Sequence, residues 1–348
     1  MTSRERVLRT LKYQETDRVP FGIMGTNAPA EQRMAKELKC SCVEELYRLL
    51  DLDIWHLSQP LKYKGENRVY KGRPADFWGV PLDISSQGDT GMDHPLAEVS
   101  SVDEVEAYVF PKIEDFDASW LDRTLDEHGE FAIEGGLWAP IFHNMTWLCG
   151  FETTLMNLAE EPEISKALLR RITDFWVDYA RMVLETARGR ILIMQNCNDF
   201  GTQRDLLISR SMFCEFFKPE LKRLYDVIKE YDVAVLQHSC GAVSEIYDDF
   251  IESGVDIMNP VQVSAAGMDI PTISRRFGGR VVLYGGIDTQ HVLPEGPEER
   301  IRGAVREALD CFRDCKGYIL GPSQGIEADI PTEHVRILFD EAIKYYRK

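Results

Sequence analysis

Short apolar runs alternate with longer amphipathic stretches through the second half of the chain, and few architectures tolerate that alternation. The runs are Phe131-Ala-Ile-Glu-Gly-Gly136, Ile191-Leu-Ile-Met194, Val233-Ala-Val-Leu236, Asp256-Ile-Met-Asn-Pro-Val-Gln262, Val281-Val-Leu-Tyr284 and Gly317-Tyr-Ile-Leu320. Each is short enough for a buried strand, and polar or glycine-rich residues follow each one. The stretches between them, about 162–189, 209–231, 243–253, 270–278, 297–314 and 332–347, carry helical periodicity. Ser209 and Thr332 are expected as N-caps. Repeated strand–helix units imply a parallel sheet. If that sheet closes, the polar tips gather on one rim, where active sites sit. An open doubly wound sheet would more often carry a G-x-G-x-x-G turn after an early strand, and the chain has none. The expected fold is a single (β/α)8 TIM barrel.

The first 130 residues are less regular. Thr2–Leu11 reads as a short amphipathic helix, and Arg18-Val-Pro-Phe-Gly-Ile-Met24 as a first strand. Residues 55–115 are rich in Gly, Pro, Asp and aromatics, and read as an irregular excursion covering one barrel opening. No linker, repeat or low-complexity tract divides the 348 residues, so one domain over 1–348 is expected. The formal net charge of −18 argues against nucleic acid and anionic membranes as partners. No apolar run approaches the ~20 residues needed to span a bilayer, and residues 1–18 lack the apolar core of a signal peptide. Eight cysteines without an export signal point to reduced thiols and a cytoplasmic protein. Cys311 and Cys315 read as one face of an amphipathic helix.

The chemistry-bearing residues lie at the strand tips. His238 and Cys240 stand two apart at the end of one strand, so they face the same way. An imidazole nitrogen and a thiolate sulfur side by side suit zinc; the alternative is a buried thiol beside a hydrogen-bonded histidine. Glu134 sits at the tip of an apolar strand, where a carboxylate is costly without a partner or a task. It is either an arginine-paired acid or a functional group. Cys197 and Asp199 share a face at another tip. Asp199 either binds or protonates a substrate atom or orders its loop. Gln203, Tyr284 and Asp288 are further rim candidates. Trp138, Phe142, His143, Trp147 and Phe151 follow Glu134, and either line a pocket for a flat substrate or pack the core.

These residues resemble the uroporphyrinogen decarboxylase superfamily. The resemblance runs through Thr2-Ser-Arg-Glu-Arg-Val-Leu8, Asp17-Arg-Val-Pro20, Asn198-Asp-Phe-Gly-Thr-Gln203, Asn259-Pro-Val-Gln262, Gly285-Gly-Ile-Asp288 and Gly317-Tyr-Ile-Leu320 with Gly325-Ile326. It implies a (β/α)8 barrel with its site at the C-terminal rim. True decarboxylases of the superfamily carry an early Arg-Gln-Ala-Gly-Arg-Tyr stretch that binds substrate carboxylates. Here the matching segment is Met24-Gly-Thr-Asn-Ala-Pro29, without arginine, which disfavours a polycarboxylate substrate and leaves Asn27 as a substrate contact. The other branch comprises zinc methyltransferases that work with corrinoid proteins and carry His-x-Cys plus a late Pro-Gly-Cys-Gly-Ile. This chain keeps His238 and Cys240 but has Gln324 where that last cysteine stands.

The resemblance therefore implies a zinc-dependent methyltransferase. It would move a methyl group between a small methylated substrate or thiol and a corrinoid carried on a separate protein. His238 and Cys240 would hold the metal, with Glu134 ahead of Cys197 as third ligand. Asp199 and Glu134 would be catalytic, and Asn27, His143, Gln203, Tyr284, Asp288 and Gln324 would contact substrate. The alternatives are a metal-free decarboxylase-like lyase on a smaller substrate, and an inactive barrel kept as a binding partner. A homodimer is left open.

Overall fold

The computed structural model describes residues 1–24, 26, 28–82, 94–136 and 141–347. Asn27 and Trp138 lie outside the described residues. The strands are β1 (Ile54–Leu57), β2 (Lys62–Tyr63), β3 (Arg68–Tyr70), β4 (Arg73–Ala75), β5 (Phe116–Asp117), β6 (Ala132–Gly136), β7 (Ile191–Cys197), β8 (Ala234–His238), β9 (Ile257–Val261), β10 (Val282–Ile287) and β11 (Tyr318–Pro322). Seven of them form one sheet in the order β1-β6-β7-β8-β9-β10-β11. Every pairing in that sheet is parallel. β2 pairs with β5, and β3 with β4, as two small antiparallel ribbons.

The sheet curls, and its two edges meet the same extended segment. The Gly22 amide donates to Leu320 O, and the Leu320 amide to Pro20 O. On the other side the Asp53 amide donates to Phe21 O. Alternation along each strand sorts the side chains onto two faces. Ile54, Ala132, Ile193, Leu236, Ile257, Val282 and Ile319 form one apolar cluster with Val7 and Met24, which is the plug inside the curl. Their neighbours Ile133, Met194, Val235, Met258, Leu283 and Leu320 belong to the larger cluster shared with the helices. Strands buried on both faces read as continuous apolar runs, which is why the sequence betrays them.

The helices Pro162–Ala187, Ile270–Phe277, Glu298–Cys311 and Thr332–Tyr346 follow the sequence expectation closely. Ser209 does cap, its side chain accepting from the Met212 amide. Thr332 does not: Pro331 takes the cap position and Thr332 is the first helical residue. The stretch expected as one helix over 209–231 is instead Arg210–Met212, a π-helical turn Phe213–Phe217, and Lys218–Lys229. Two further helices, Ile141–Cys149 and Phe151–Glu160, occupy a region left unassigned by periodicity. The irregular excursion also starts later than expected, because β1 belongs to the main sheet.

An ion cluster ties the chain's beginning to the sheet. Asp53 is fully buried. It accepts from the guanidinium of Arg6, from Arg18 Nη1 at 2.6 Å and from the Phe21 amide at 2.8 Å. Arg6 also donates from Nε to Asp17 at 2.8 Å. The early Arg and Asp-Arg-Val-Pro residues thus build a clasp. All eight cysteines are free thiols. Among the described residues no helix is long and apolar enough to cross a membrane.

Candidate active site

The loops after β7 and β8 touch backbone to backbone. Gly241 has φ +90°, and a methyl group there would lie 2.6 Å from the Gly201 carbonyl carbon and from Thr202 O. One added at Gly201 would lie 2.7 Å from Cys240 O. Glycine at both positions allows the approach. It brings Asp199 beside Cys240, whose amide donates to Asp199 Oδ1 at 2.8 Å. The Gly241 amide donates to Gln262 Oε1 at 2.7 Å, and the Phe200 amide to Ser239 Oγ at 3.1 Å. Three consecutive loops are therefore pinned to one another.

His238 ends β8 on its inward face and is buried. Its Nδ1 lies 2.6 Å from Asn259 Oδ1, an acceptor, so Nδ1 carries the proton and Nε2 presents a lone pair. Cys240 Sγ lies 3.2 Å from that Nε2. Gln324 Nε2 donates to the same sulfur at 2.9 Å. Asp199 Oδ1 is 3.8 Å from His238 Nε2, and its Oδ2 is 3.6 Å from His143 Nε2. Cys197, Asp199 and His238 each offer a ligand atom within 4.8 Å of the others.

Burial pushes the Asp199 carboxyl up, but the adjacent imidazoles of His143 and His238 and the hydrogen bond from the Cys240 amide outweigh it. The result is a carboxyl held at about 2. Burial and the Asp199 charge drive the Cys240 thiol well above its ordinary range, the Gln324 amide only partly offsetting them. Cys197 is raised for the same first reason, with Asp199 adding to it. A thiolate here needs a nearby positive charge.

Glu134 is placed elsewhere. It is fully buried on β6, with Oε1 2.9 Å from His56 Nδ1 and Oε2 without a partner. Its partner is a histidine on the adjacent strand rather than an arginine. The three-residue grouping beside Cys240 contains Cys197 in the place expected for Glu134, because β7 and not β6 adjoins β8. Tyr284 points inward with its hydroxyl unpaired; its ring packs where Gly22 and Gly321 leave room. Asp288 is buried and accepts from the Gln290 amide at 2.7 Å, so it orders its own loop. Phe142 stacks on Phe200 with ring centroids 5.3 Å apart and belongs to the core, whereas His143 is half-buried and faces Asp199. Trp147 lies 5.8 Å from the His143 ring, centroid to centroid, and Phe151 is exposed.

A cleft of about 400 Å³ opens over this cluster. Asp199, Gln203, Cys240, Gln262 and Gln324 line it, together with Thr289, Gln290, Glu327 and Asp329. Asn259, Gln262 and His56 were not singled out from sequence. The first two stand at the tip of an apolar run, a signal that could have found them. His56 sits in a stretch whose strand was not recognised.

The model of the uroporphyrinogen decarboxylase (URO-D) family matches residues 73–345. The methylcobamide:CoM methyltransferase MtbA of Methanosarcina mazei is 27% identical over 194 residues, 55% of this chain and 52% of that protein. A uroporphyrinogen decarboxylase of Psychromonas ingrahamii is 23% identical over 180 residues, 52% of this chain and 48% of that protein. The chain thus spans about half the length of the curated relatives it matches. A solved methyltransferase from Methanosarcina mazei superposes with a TM-score of 0.72 at 17% identity, covering 99% of both chains, which establishes a shared fold. On the family match over most of its length, the chain belongs to the uroporphyrinogen decarboxylase family.

Proposed function

We propose that this protein is a metal-dependent methyltransferase, exchanging a methyl group between a small molecule and a corrinoid carried on a separate protein. The observation that carries the reading is the pair His238 Nε2 and Cys240 Sγ, 3.2 Å apart, with the imidazole tautomer fixed by Asn259. A histidine whose second nitrogen is held by an oxygen acceptor is the usual form of a metal-bound imidazole. Cys197 and Asp199 each offer a ligand atom within 4.8 Å of one on His238, in a grouping that does not include Cys240. The residues therefore fit zinc, which accepts N, S and O donors in a small tetrahedral shell. Zinc held there would supply a Lewis acid and a charge that stabilises thiolate. The printed activity of the Methanosarcina mazei relative supports methyl transfer involving a cobamide.

The chain's own groups do the rest. Asp199 fixes the Cys240 backbone, and Gln324 orients its sulfur. In this reading Gln324 contacts the cysteine in place of supplying a ligand. His143, against Asp199, can hold or deliver a proton at the atom that loses or gains the methyl group. Gln203 lines the cleft and contacts substrate. The segment Pro20–Met24 serves as the eighth strand, completing a (β/α)8 barrel whose C-terminal rim is this site.

The test is metal analysis of protein purified without chelator, with methyl transfer assayed from methylcobalamin. The expected result is about one zinc per chain, with Cys240→Ser losing metal and transfer together. Zinc-free active protein, or Cys240→Ser with full metal, would overturn the reading in favour of a metal-free lyase.

A further inference from the structure

Between β11 and the helix Thr332–Tyr346 runs a loop that forms much of one cleft wall. Gln324, Gly325, Glu327, Asp329 and Ile330 all line the cleft. The root of the loop is fixed to the sheet, where the Ser323 amide donates to Ile287 O at 2.7 Å. The next residue, Gln324, donates to Cys240 Sγ at 2.9 Å.

Two residues from the beginning of the chain hold this loop from outside. The Ile326 amide donates to Thr26 Oγ1 at 3.0 Å. Arg33 donates to three carbonyl oxygens: from Nη1 to Ala328 at 2.7 Å, and from Nη2 to Glu327 at 3.1 Å and Ile330 at 3.0 Å. Three carbonyls can face one group only if the backbone turns around it, and the fixed fork of a guanidinium suits that arrangement. Arg33 itself is outside the cleft lining.

The mount of Arg33 is firm. It stands midway along the helix Ala28–Glu37. On that helix Glu31 accepts from Tyr47 Oη at 2.7 Å. Tyr47 is buried, and its ring packs on Trp55 of β1 with centroids 4.7 Å apart. Contacts therefore run from β1 through Tyr47 and the Glu31 helix to Arg33, and on to the loop after β11. β1 and β11 are the two edges of the sheet, so Arg33 bridges the seam where the sheet curls closed.

We propose, on the methyl-transfer reading above, that Arg33 is a positioning residue: it sets the wall from 324 to 330 and so holds Gln324 against the sulfur of Cys240. It acts on the site through that loop and touches neither the metal ligands nor the cleft.

A double-substitution cycle in zinc affinity tests this, by competition with a chromogenic chelator on the full-length protein. Gln324→Ala should weaken zinc about tenfold, as losing a partner of a metal ligand does. Arg33→Ala should weaken it by a similar factor, and the double variant by no more than either alone, since both remove one contact. Arg33→Lys, whose ammonium keeps three donors, should recover part of the loss. Factors that multiply in the double variant would overturn the proposal, because Arg33 would then act by another route. So would unchanged zinc affinity in either single variant, or an Arg33→Lys protein as weak as Arg33→Ala. If Arg33→Ala does not fold, Arg33→Gln takes its place in the cycle. If the wild-type protein takes up no zinc, the metal of the reading above fails. The cycle is then read on metal-free protein, from the rate at which iodoacetamide alkylates Cys240. Equal rate changes in both single variants and the double support the proposal; multiplying changes, or none, overturn it.

Discussion

At the residue scale, the candidate site depends on a few contacts that have no slack. His238 is aimed by the hydrogen bond from Nδ1 to Asn259 at 2.6 Å, on the ring edge away from Cys240. Removing it in Asn259→Ala frees the ring and its tautomer. Losing such a supporting partner typically weakens metal binding about 10–100-fold. Competition with a chromogenic chelator should show that loss, and an unchanged zinc affinity would mean that Asn259 does not orient the ligand. Gly241 is equally constrained, with φ +90° and the Gly201 carbonyl carbon 2.6 Å from where a methyl would stand. Gly241→Ala should cost about 2 kcal/mol or more, read as a lowered urea midpoint. It should also separate Asp199 from the Cys240 amide.

At the element scale, the strands define the site more than the loops do. β7 and β8 are neighbours, in register at Cys197 and His238, and this places a second sulfur beside the histidine. Glu134 is carried by β6, in register with His56 of β1, and that is why the acid meets an imidazole instead of the thiol cluster. The extended segment around Phe21 joins the two sheet edges, and Asp53 secures it. Asp53→Ala would leave the buried guanidinium of Arg6 and the Arg18 side chain without their shared anion. Breaking a buried pair from one side costs ~3–5 kcal/mol. Chemical denaturation should show a loss of that order, with the Pro20–Gly22 amides exchanging faster. A loss below about 1 kcal/mol would mean that the clasp is replaced by water.

At the scale of the whole molecule, the outer face of the sheet and the helix shell share one apolar cluster, and the interior plug forms a second one carried on the same strands. The large apolar cluster includes residues from Phe21 through Ala342. One cooperative unit should therefore melt once, including the stretch before β6. Calorimetry of the full chain should give a single transition with equal calorimetric and van't Hoff enthalpies. Two resolved transitions would divide the chain into domains. The same connectivity explains why metal at one rim should stabilise the whole: zinc bound to the native state alone raises the melting temperature of everything coupled to it. Removing it with chelator should lower that temperature, and Cys240→Ser should abolish the difference.

The sequence alone determined the repeating strand–helix order and the places where polar residues end apolar runs, because strands buried on both faces need unbroken apolar stretches. It also determined that His238 and Cys240 share a face, since alternation along a strand is fixed by backbone geometry. It missed β1, whose mixture of Trp55 and His56 with Ile54 and Leu57 does not look like a buried strand. It placed Thr332 as a cap because it could not see that Pro331 already holds the extended turn. Which tips meet was beyond it. Adjacency of β7 to β8, of β6 to β1, and of the glycine-lined loops at Gly201 and Gly241 arises only when the sheet curls. Tertiary structure therefore chose Cys197 over Glu134 as the neighbour of His238, and paired Glu134 with His56. It also brought Gln324, far along the chain, onto the sulfur of Cys240. Local sequence fixes the direction of a side chain through short-range sterics, but its partners come from strands distant in the chain, and long-range packing decides those.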